Sequence, residues 1–241
     1  MAATLSVVCP VWNEAANIGA TLDELRAKVH APIELLVVYD RDEDDTLPVV
    51  RRIAASYPFQ IRLVKNAHGP GVLNALRTGF DAATGDAVLV VMADLSDDFR
   101  IVDDMLRLVE HGCDVVCGSR YMPGGAHVGG PALKTFLSRT AGLSLHAMLG
   151  LPSHDVSNSF KMYRRTLLDE IRIESTGGFE IGIEILVKAW VKGKRIAELP
   201  SVWQDRTKGT SRFQLWAWLP SYLRWYFYAF RRTSPAPDRH R

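Results

Sequence analysis

The sequence predicts an α/β protein whose central sheet is mostly parallel and covered by helices on both faces. Short Val-, Leu- and Ile-rich runs at residues 5–9, 33–39, 61–64, 87–92 and 114–117 read as buried strands. Between them, residues 14–28, 46–56, 71–83 and 101–111 set apolar side chains at helical spacing with a polar face opposite. Strand and helix alternating in this order require right-handed crossovers, and crossovers lay helices on both faces of one sheet.

Taken in order, the strands end in polar and acidic loops. After the first comes Pro10-Val11-Trp12-Asn13-Glu14, after the second Asp40-Arg41-Asp42-Glu43-Asp44-Asp45, and after the fourth Ala93-Asp94-Leu95-Ser96-Asp97-Asp98. Ligands of such sheets collect at the carboxyl ends of the strands, where loops converge and helix N-termini point amide dipoles at anions. Asn, Asp and Ser also open helices, and capping is the expected role of Asp44 and Asp97. Capping does not need this density of carboxylate. Acids converging on one rim repel each other unless a cation neutralises them, so a hard divalent metal with oxygen ligands is expected there.

Bulk properties narrow the function further. The chain has 241 residues, 47% of them apolar, which is ample for a sizeable core. Its 29 basic and 27 acidic side chains leave a net charge of +2, and no helix carries a basic stripe, so a nucleic-acid partner is not expected. Three cysteines, two of them in apolar runs, suit a reducing cytosol and lack the spacing of a zinc site. The first residues carry no secretory signal pattern, so a cytoplasmic protein is expected.

Beyond the fifth strand the alternation gives way to Gly118-Ser119-Arg120-Tyr121, a glycine-rich loop through Gly130, and a helix over residues 132–149. Basic residues gather in this half: Arg120, Lys134, Arg139, Lys161, Arg206, Lys208 and Arg212 lie near loops where a diphosphate or lipid phosphate could be gripped. Residues 213–230, FQLWAWLPSYLRWYFYAF, hold three of the six tryptophans. Pro220 and Arg224 interrupt the stretch, which is short for a membrane span, but its Trp, Tyr and Arg suit a membrane interface. A core-packing or dimer-forming helix is the alternative, and with it a homo-oligomer. The expected organisation is one domain over 1–212, an amphipathic aromatic segment over 213–233 and a disordered tail over 234–241.

Several of these stretches together resemble the family 2 glycosyltransferases, in the branch of dolichyl-phosphate mannose synthase and related polyprenyl-phosphate sugar transferases. The resemblance spans residues 5–213. Val8 to Glu14 is similar to the opening V-x-P-x-Y-N-E. Asp40 to Thr46 resembles D-D-x-S-x-D-G-T, with Tyr39 replacing an acid and Asp45 the glycine. Met92-Ala93-Asp94-Leu95-Ser96 resembles D-A-D-L-Q, with Met92 in place of the first acid. Gly118-Ser119-Arg120-Tyr121 with Gly124-Gly125 is a close match, Lys134 and Ser138 resemble an Arg-x-x-x-Ser pair, and Asp155 to Lys161 resembles D-x-T-S-G-F-R. Residues 178–184 resemble G-Y-x-F-Q-x-E, and Arg206 to Arg212 resembles R-x-x-G-x-S-K.

The resemblance implies a GT-A fold and an inverting transfer of sugar from a nucleotide-sugar donor, in a single displacement. It places Pro10, Trp12, Asn13 and Glu14 at the nucleotide base and Asp40, with Asp42 in the same turn, at the nucleotide. It places Ala93 and Asp94 at the diphosphate, and Lys134 and Ser138 with the donor-binding residues. Asp94 is then the metal ligand, for Mg²⁺ or Mn²⁺, and Asp94, Arg120 and Arg206 are the catalytic candidates. The first-choice reaction moves mannose from GDP-mannose to a polyprenyl phosphate at the cytoplasmic face of a membrane. A UDP-sugar transferase with a soluble alcohol acceptor and a non-catalytic nucleotide-sugar-binding protein are the alternatives.

Overall fold

The structure is a computed structural model that describes residues 4–205 and 215–231. In chain order the elements are β1 (Leu5–Val11), α1 (Ile18–Lys28), β2 (Ile33–Tyr39), α2 (Thr46–Ile53), β3 (Gln60–Lys65), α3 (Val72–Ala82), β4 (Ala87–Val90) and α4 (Val102–Glu110). There follow β5 (Val115–Ser119), β6 (Ala126–Val128), α5 (Ala132–Leu149), β7 (Lys161–Arg164), α6 (Arg165–Glu170), α7 (Ile181–Val191), β8 (Ile196–Pro200), β9 (Val202–Gln204) and α8 (Leu215–Tyr228). The predicted α/β class is what is found.

Seven strands form one sheet in the order β3-β2-β1-β4-β7-β5-β8, and β6 and β9 pair separately. All pairings in the large sheet are parallel except those of β7, which runs antiparallel to both β4 and β5. Alternation of side chains along each strand feeds two cores. In β1, Leu5, Val7, Cys9 and Val11 join α1, α2 and α4 on one face, while Val8 joins α3, α5, α6, α7 and α8 on the other. A sheet buried on both faces explains why its strands read as continuous apolar runs. On the second face α3 sits close against β1, where a Cβ on Gly79 would lie 2.2 Å from Val8 Cγ1.

The chain runs outward from β1 through β2 to β3, then crosses back to β4 on the other side of β1. That reversal makes the carboxyl ends of β1 and β4 a topological switch point, the place where an open α/β sheet leaves a crevice. The loops holding Trp12 to Glu14 and Asp94 both open there.

Late in the chain the fold departs from simple alternation. Helix α7 is buried on nearly all sides, and its Glu184 and Lys188 pair at 2.6 Å inside the core. The motif over 178–184 serves the same bracing: Glu180 accepts from the amides of Gly177 and Gly178, and Glu184 from those of Glu174 and Ser175. Lys161, grouped above with residues near loops, lies instead on β7, fully buried, with its ammonium on the carbonyls of Val156 and Asn158.

The aromatic segment divides its duties. Trp225 is buried and donates Nε1–H to Ser175 at 2.9 Å, and Gly178 has room only for hydrogen against Trp218, 2.7 Å from where a Cβ would stand. The opposite face of α8 shows Trp216, Leu223 and Phe227 to solvent. One side of the segment packs on the core, as the core-packing alternative expects, and the other is left apolar and exposed. Among the described residues no helix is long and apolar enough to cross a membrane.

Candidate functional site

The loops after β1 and β2 are laced together by side-chain bonds to backbone. Asp44 accepts from Thr46 N at 2.9 Å and Asn13 N at 3.1 Å, and Thr46 Oγ1 accepts from Glu14 N at 2.9 Å. Asp44 thus bonds the first amide of α2, although Asp45 and not Asp44 stands at its N-cap, and also pins the first loop. Asn13 takes a left-handed φ of 54°, which an Asn tolerates better than most residues. Pro10 closes β1 beside Val38, and Arg41 lies over the Trp12 ring with its guanidinium carbon 5.0 Å from the centroid. Asp40 accepts from Asn66 Nδ2 at 2.8 Å and Gly71 N at 2.9 Å, drawing the loop before α3 against the end of β2. Asp42 pairs with Lys65 at the surface. The expected nucleotide residues therefore do form one edge of the crevice, with Asn66 and Gly71 joining them through Asp40.

The turn after β4 carries the acids. Ala93 gives its carbonyl to Thr21 Oγ1 at 3.0 Å, and Asp94, 9% exposed, accepts from Ser96 N at 3.2 Å. Between them Leu95 is held at φ 63°, a conformation costing roughly 1–2 kcal/mol for a side chain of this kind. Asp97 accepts from Met92 N at 2.8 Å and Asp98 from Arg100 N at 3.2 Å, so Asp98 takes the capping role expected of Asp97. Burial pushes the Asp97 carboxyl up to about 8, opposed by its bond to Met92 and reinforced by the charge of Asp94. Burial and the charges of Asp94, Asp97 and Glu14 likewise push the Cys9 thiol up, which places all three acids around the end of β1.

This crowding is the observation that tests a divalent metal. Burial first, and the charge of Asp94 after it, work against a charged Asp97 carboxylate, the condition a bound cation relieves. Among the described residues no three His, Cys, Asp or Glu side chains stand close enough to ligate an ion by themselves. The rim fits an ion that takes one or two carboxylates from the protein and its remaining ligands from a diphosphate and water.

Across the crevice Arg120, buried at the end of β5, is clamped by Asp155 through Nε at 2.6 Å and NH2 at 2.9 Å. Burial pulls the guanidinium down, but the charge of Asp155 outweighs it, and the carboxyl of Asp155 is lowered in return by Arg120. The same NH2 reaches Ser138 at 3.0 Å and Ser157 at 3.2 Å, and Ser138 bonds Tyr121 at 2.9 Å. A fixed cation on a rigid hydroxyl cradle results, tied to α5 through Ser138. Burial first, then the charge of Arg120, lower the pKa of His127, and Lys134, four residues before Ser138 on α5, adds to this. The charge of Asp97 is felt at Arg120, so the acid turn and the arginine share one space. Arg206 lies outside the described residues. Asp155, Ser157, His127 and Trp203 enter the site beyond the expected set, and only Asp155 and Ser157 had a signal, in the motif over 155–161.

A switch-point crevice with a nucleotide edge, an acid turn and a buried arginine opposite defines a nucleotide-sugar transferase of the GT-A type. The profile of glycosyl transferase family 2 matches residues 6–172, and the chain belongs to that family. It is 29% identical over 213 residues to the polyprenol monophosphomannose synthase of Mycolicibacterium smegmatis, covering 86% of this chain and 79% of that one. It is 26% identical over 219 residues to the dolichol-phosphate mannosyltransferase of Pyrococcus furiosus, covering 87% of this chain and 59% of that longer one. Among solved structures, glucosyl-3-phosphoglycerate synthase of Mycobacterium tuberculosis with Mn²⁺, UDP-glucose and phosphoglyceric acid superposes with a TM-score of 0.68 at 21% identity, over 97% of this chain and 81% of that one. A mannosyltransferase of Pyrobaculum calidifontis with GDP-Man and Mn²⁺ gives 0.66 at 20% identity, over 98% and 66%. The fold and the glycosyltransferase class expected from the sequence are both upheld.

Proposed function

We propose that the chain is an inverting hexosyltransferase that moves mannose from GDP-mannose to a polyprenyl phosphate held at a membrane surface. The observation that carries this reading is the face formed by α5 and α8. The two helices meet at the Ser144–Tyr226 bond of 3.0 Å. They leave Leu133, Phe136 and Met148 of α5 and Trp216, Leu223 and Phe227 of α8 exposed. Neither helix contains an Asp or Glu, whereas Lys134, Arg139 and Arg224 lie on them. Exposed apolar side chains among cations suit the boundary between lipid tails and anionic headgroups. On this reading contact with the membrane is peripheral and on its cytoplasmic side.

That face adjoins the site through α5, whose Ser138 accepts from Arg120 at 3.0 Å and whose Lys134 lies four residues earlier on the same helix. A lipid phosphate presented there brings an oxygen already anionic at neutral pH, so the transfer needs no strong general base. Asp94 would hold Mg²⁺ or Mn²⁺ together with the donor, and the ion would supply charge neutralisation to the leaving diphosphate. Arg120 and Lys134 hold phosphate on the acceptor side, and the loops of Trp12 and Asp40 hold the nucleotide. The names of the mycobacterial and archaeal relatives support mannose and a polyprenyl carrier.

The test offers GDP- and UDP-sugars with polyprenyl phosphate in vesicles containing anionic lipid, with Mg²⁺ or Mn²⁺, and follows glycolipid by mass spectrometry. Mannosyl-phosphoryl-polyprenol from GDP-mannose is expected. No glycolipid from any pairing overturns the lipid-carrier reading, and a protein that does not float with vesicles argues instead that the α5–α8 face joins two copies of the chain.

A further inference from the structure

A stack of rings stands between the Asp94 turn and Arg120, and the chemistry above gives it no task. His127 on β6 lies against Trp203 on β9 with centroids 4.6 Å apart and planes 18° apart, and Tyr121 lies 6.2 Å from His127 at 25°. The small sheet carrying them is fastened on both sides. Val202 N donates to Asp98 at 3.2 Å and Gln204 N to the Ser96 carbonyl at 3.3 Å, while Ser201 N donates to the Ser119 carbonyl at 2.9 Å. Trp203 is therefore held next to the acid turn, with the Arg120 guanidinium 6.0 Å from its ring centroid.

The rings are half-buried, yet among the described residues neither nitrogen of His127 nor Nε1 of Trp203 has a hydrogen-bond partner. Polar atoms in a half-buried wall lose stability unless water or a ligand meets them. Burial and the charge of Arg120 hold the imidazole pKa below its ordinary value, so at neutral pH the ring offers one N–H and one lone pair. A diphosphate finds little here beyond Arg120, and a prenyl chain leaves the ring nitrogens unmet. A hexose presents both complements, an apolar C–H face and a rim of hydroxyls.

We propose that Trp203 and His127 form the wall that grips the transferred hexose, with its C–H face on the indole and its hydroxyls on the ring nitrogens. The proposal rests on the transferase reading and adds to it the residues that recognise the sugar. It predicts a division between nucleotide and nucleotide sugar. Titration calorimetry in Mn²⁺ compares GDP with GDP-mannose and UDP with UDP-glucose in wild type, Trp203→Ala, Trp203→Phe and His127→Phe. The last two keep an aromatic slab, though of different size, and remove the ring nitrogens.

All three variants are expected to weaken the nucleotide sugar about tenfold, as the loss of a hydrogen bond or a stacked face implies, with the nucleoside diphosphate changed no more than about twofold. Equal weakening of both ligands overturns the proposal, since the wall would then shape only the diphosphate site. So does unchanged donor affinity with a raised KM for polyprenyl phosphate, which would make the wall the acceptor's. A wild-type chain that binds no nucleotide sugar overturns the transferase reading first and this one with it.

Discussion

The two edges of the same sheet treat their carboxylates in opposite ways. At the amino edge Glu34 accepts from Ser6 Oγ at 2.6 Å, Thr84 N at 2.7 Å and Arg62 NH1 at 3.0 Å, and Asp86 accepts from Thr4 N at 3.0 Å. Although burial works against it, this shell of donors lowers the Glu34 carboxyl to about 2. At the carboxyl edge Asp97 has one backbone donor and the charge of Asp94 beside it, and is pushed up to about 8. The backbone follows the same division, because the described non-glycine residues with positive φ, Asn13 and Leu95, both lie at the carboxyl edge. One edge holds its acids for stability. The other buries an acid with a single backbone donor beside a second charge and carries backbone strain, features that gather at functional sites.

The sharpest break of that comparison is Asp94→Asn. Losing the central carboxylate of the strained turn is expected to lower transfer by roughly 10²–10³-fold, in line with the removal of one electrostatic contact to a transition state. The melting temperature should stay within a few degrees, because an asparagine Oδ1 can still accept from Ser96 N. Glycolipid formation measured beside a thermal scan decides it, and unchanged turnover would remove the premise that this edge carries the chemistry. Asp155→Asn tests the opposite wall by stability. It leaves the Arg120 guanidinium buried without its partner, which is expected to cost about 3–5 kcal/mol in urea unfolding. A loss under about 1 kcal/mol, the worth of an exposed pair, would show that Arg120 is not held as a fixed cation.

The sheet was legible because its first five strands obey the rule for strands buried on two faces, and the helix over 132–149 matched to the residue. What escaped had physical reasons. Strand β7 is four residues, KMYR, and its two cations hide a buried strand that inverts the order between β4 and β5. Helix α7 is buried all round, so it has no polar face to give a helical period. In the site, the acid turn and Arg120 were readable because each lies at a strand end in a recognisable motif. The clamp on Arg120 was not, since Asp155 is 35 residues away along the chain. The His127–Trp203 wall pairs residues of β6 and β9, and nothing local in either strand signals the other.

At the amino edge the prediction is a pH dependence. The unfolded Glu34 carboxyl, near its ordinary value of 4.5, takes up a proton before the folded one does at about 2. Its stabilising contribution is therefore complete above about 4.5 and is lost as pH falls from there towards 2. Glu34→Gln should flatten the acid limb of melting temperature against pH while leaving glycolipid formation at neutral pH unchanged. An acid limb identical to wild type would mean that the donor shell around Glu34 does not stabilise the charge.

The smallest expected effect lies at Met92, the one position where the acid turn lacks a carboxylate its resemblance leads one to expect. Met92 is half-buried, and its amide already anchors Asp97, so the backbone does not need to move to admit an acid side chain. In Met92→Asp a further negative charge beside Asp94 and Asp97 should lower the melting temperature by a few degrees in chelator, as like charges in a confined rim repel. With Mn²⁺ and nucleoside diphosphate the same charge becomes a ligand, and the metal-dependent rise in melting temperature should exceed that of the wild type. If Mn²⁺ leaves the variant as destabilised as chelator does, the position does not face the ion, and repulsion at this edge would have to be ascribed to Asp94 and Asp97 alone.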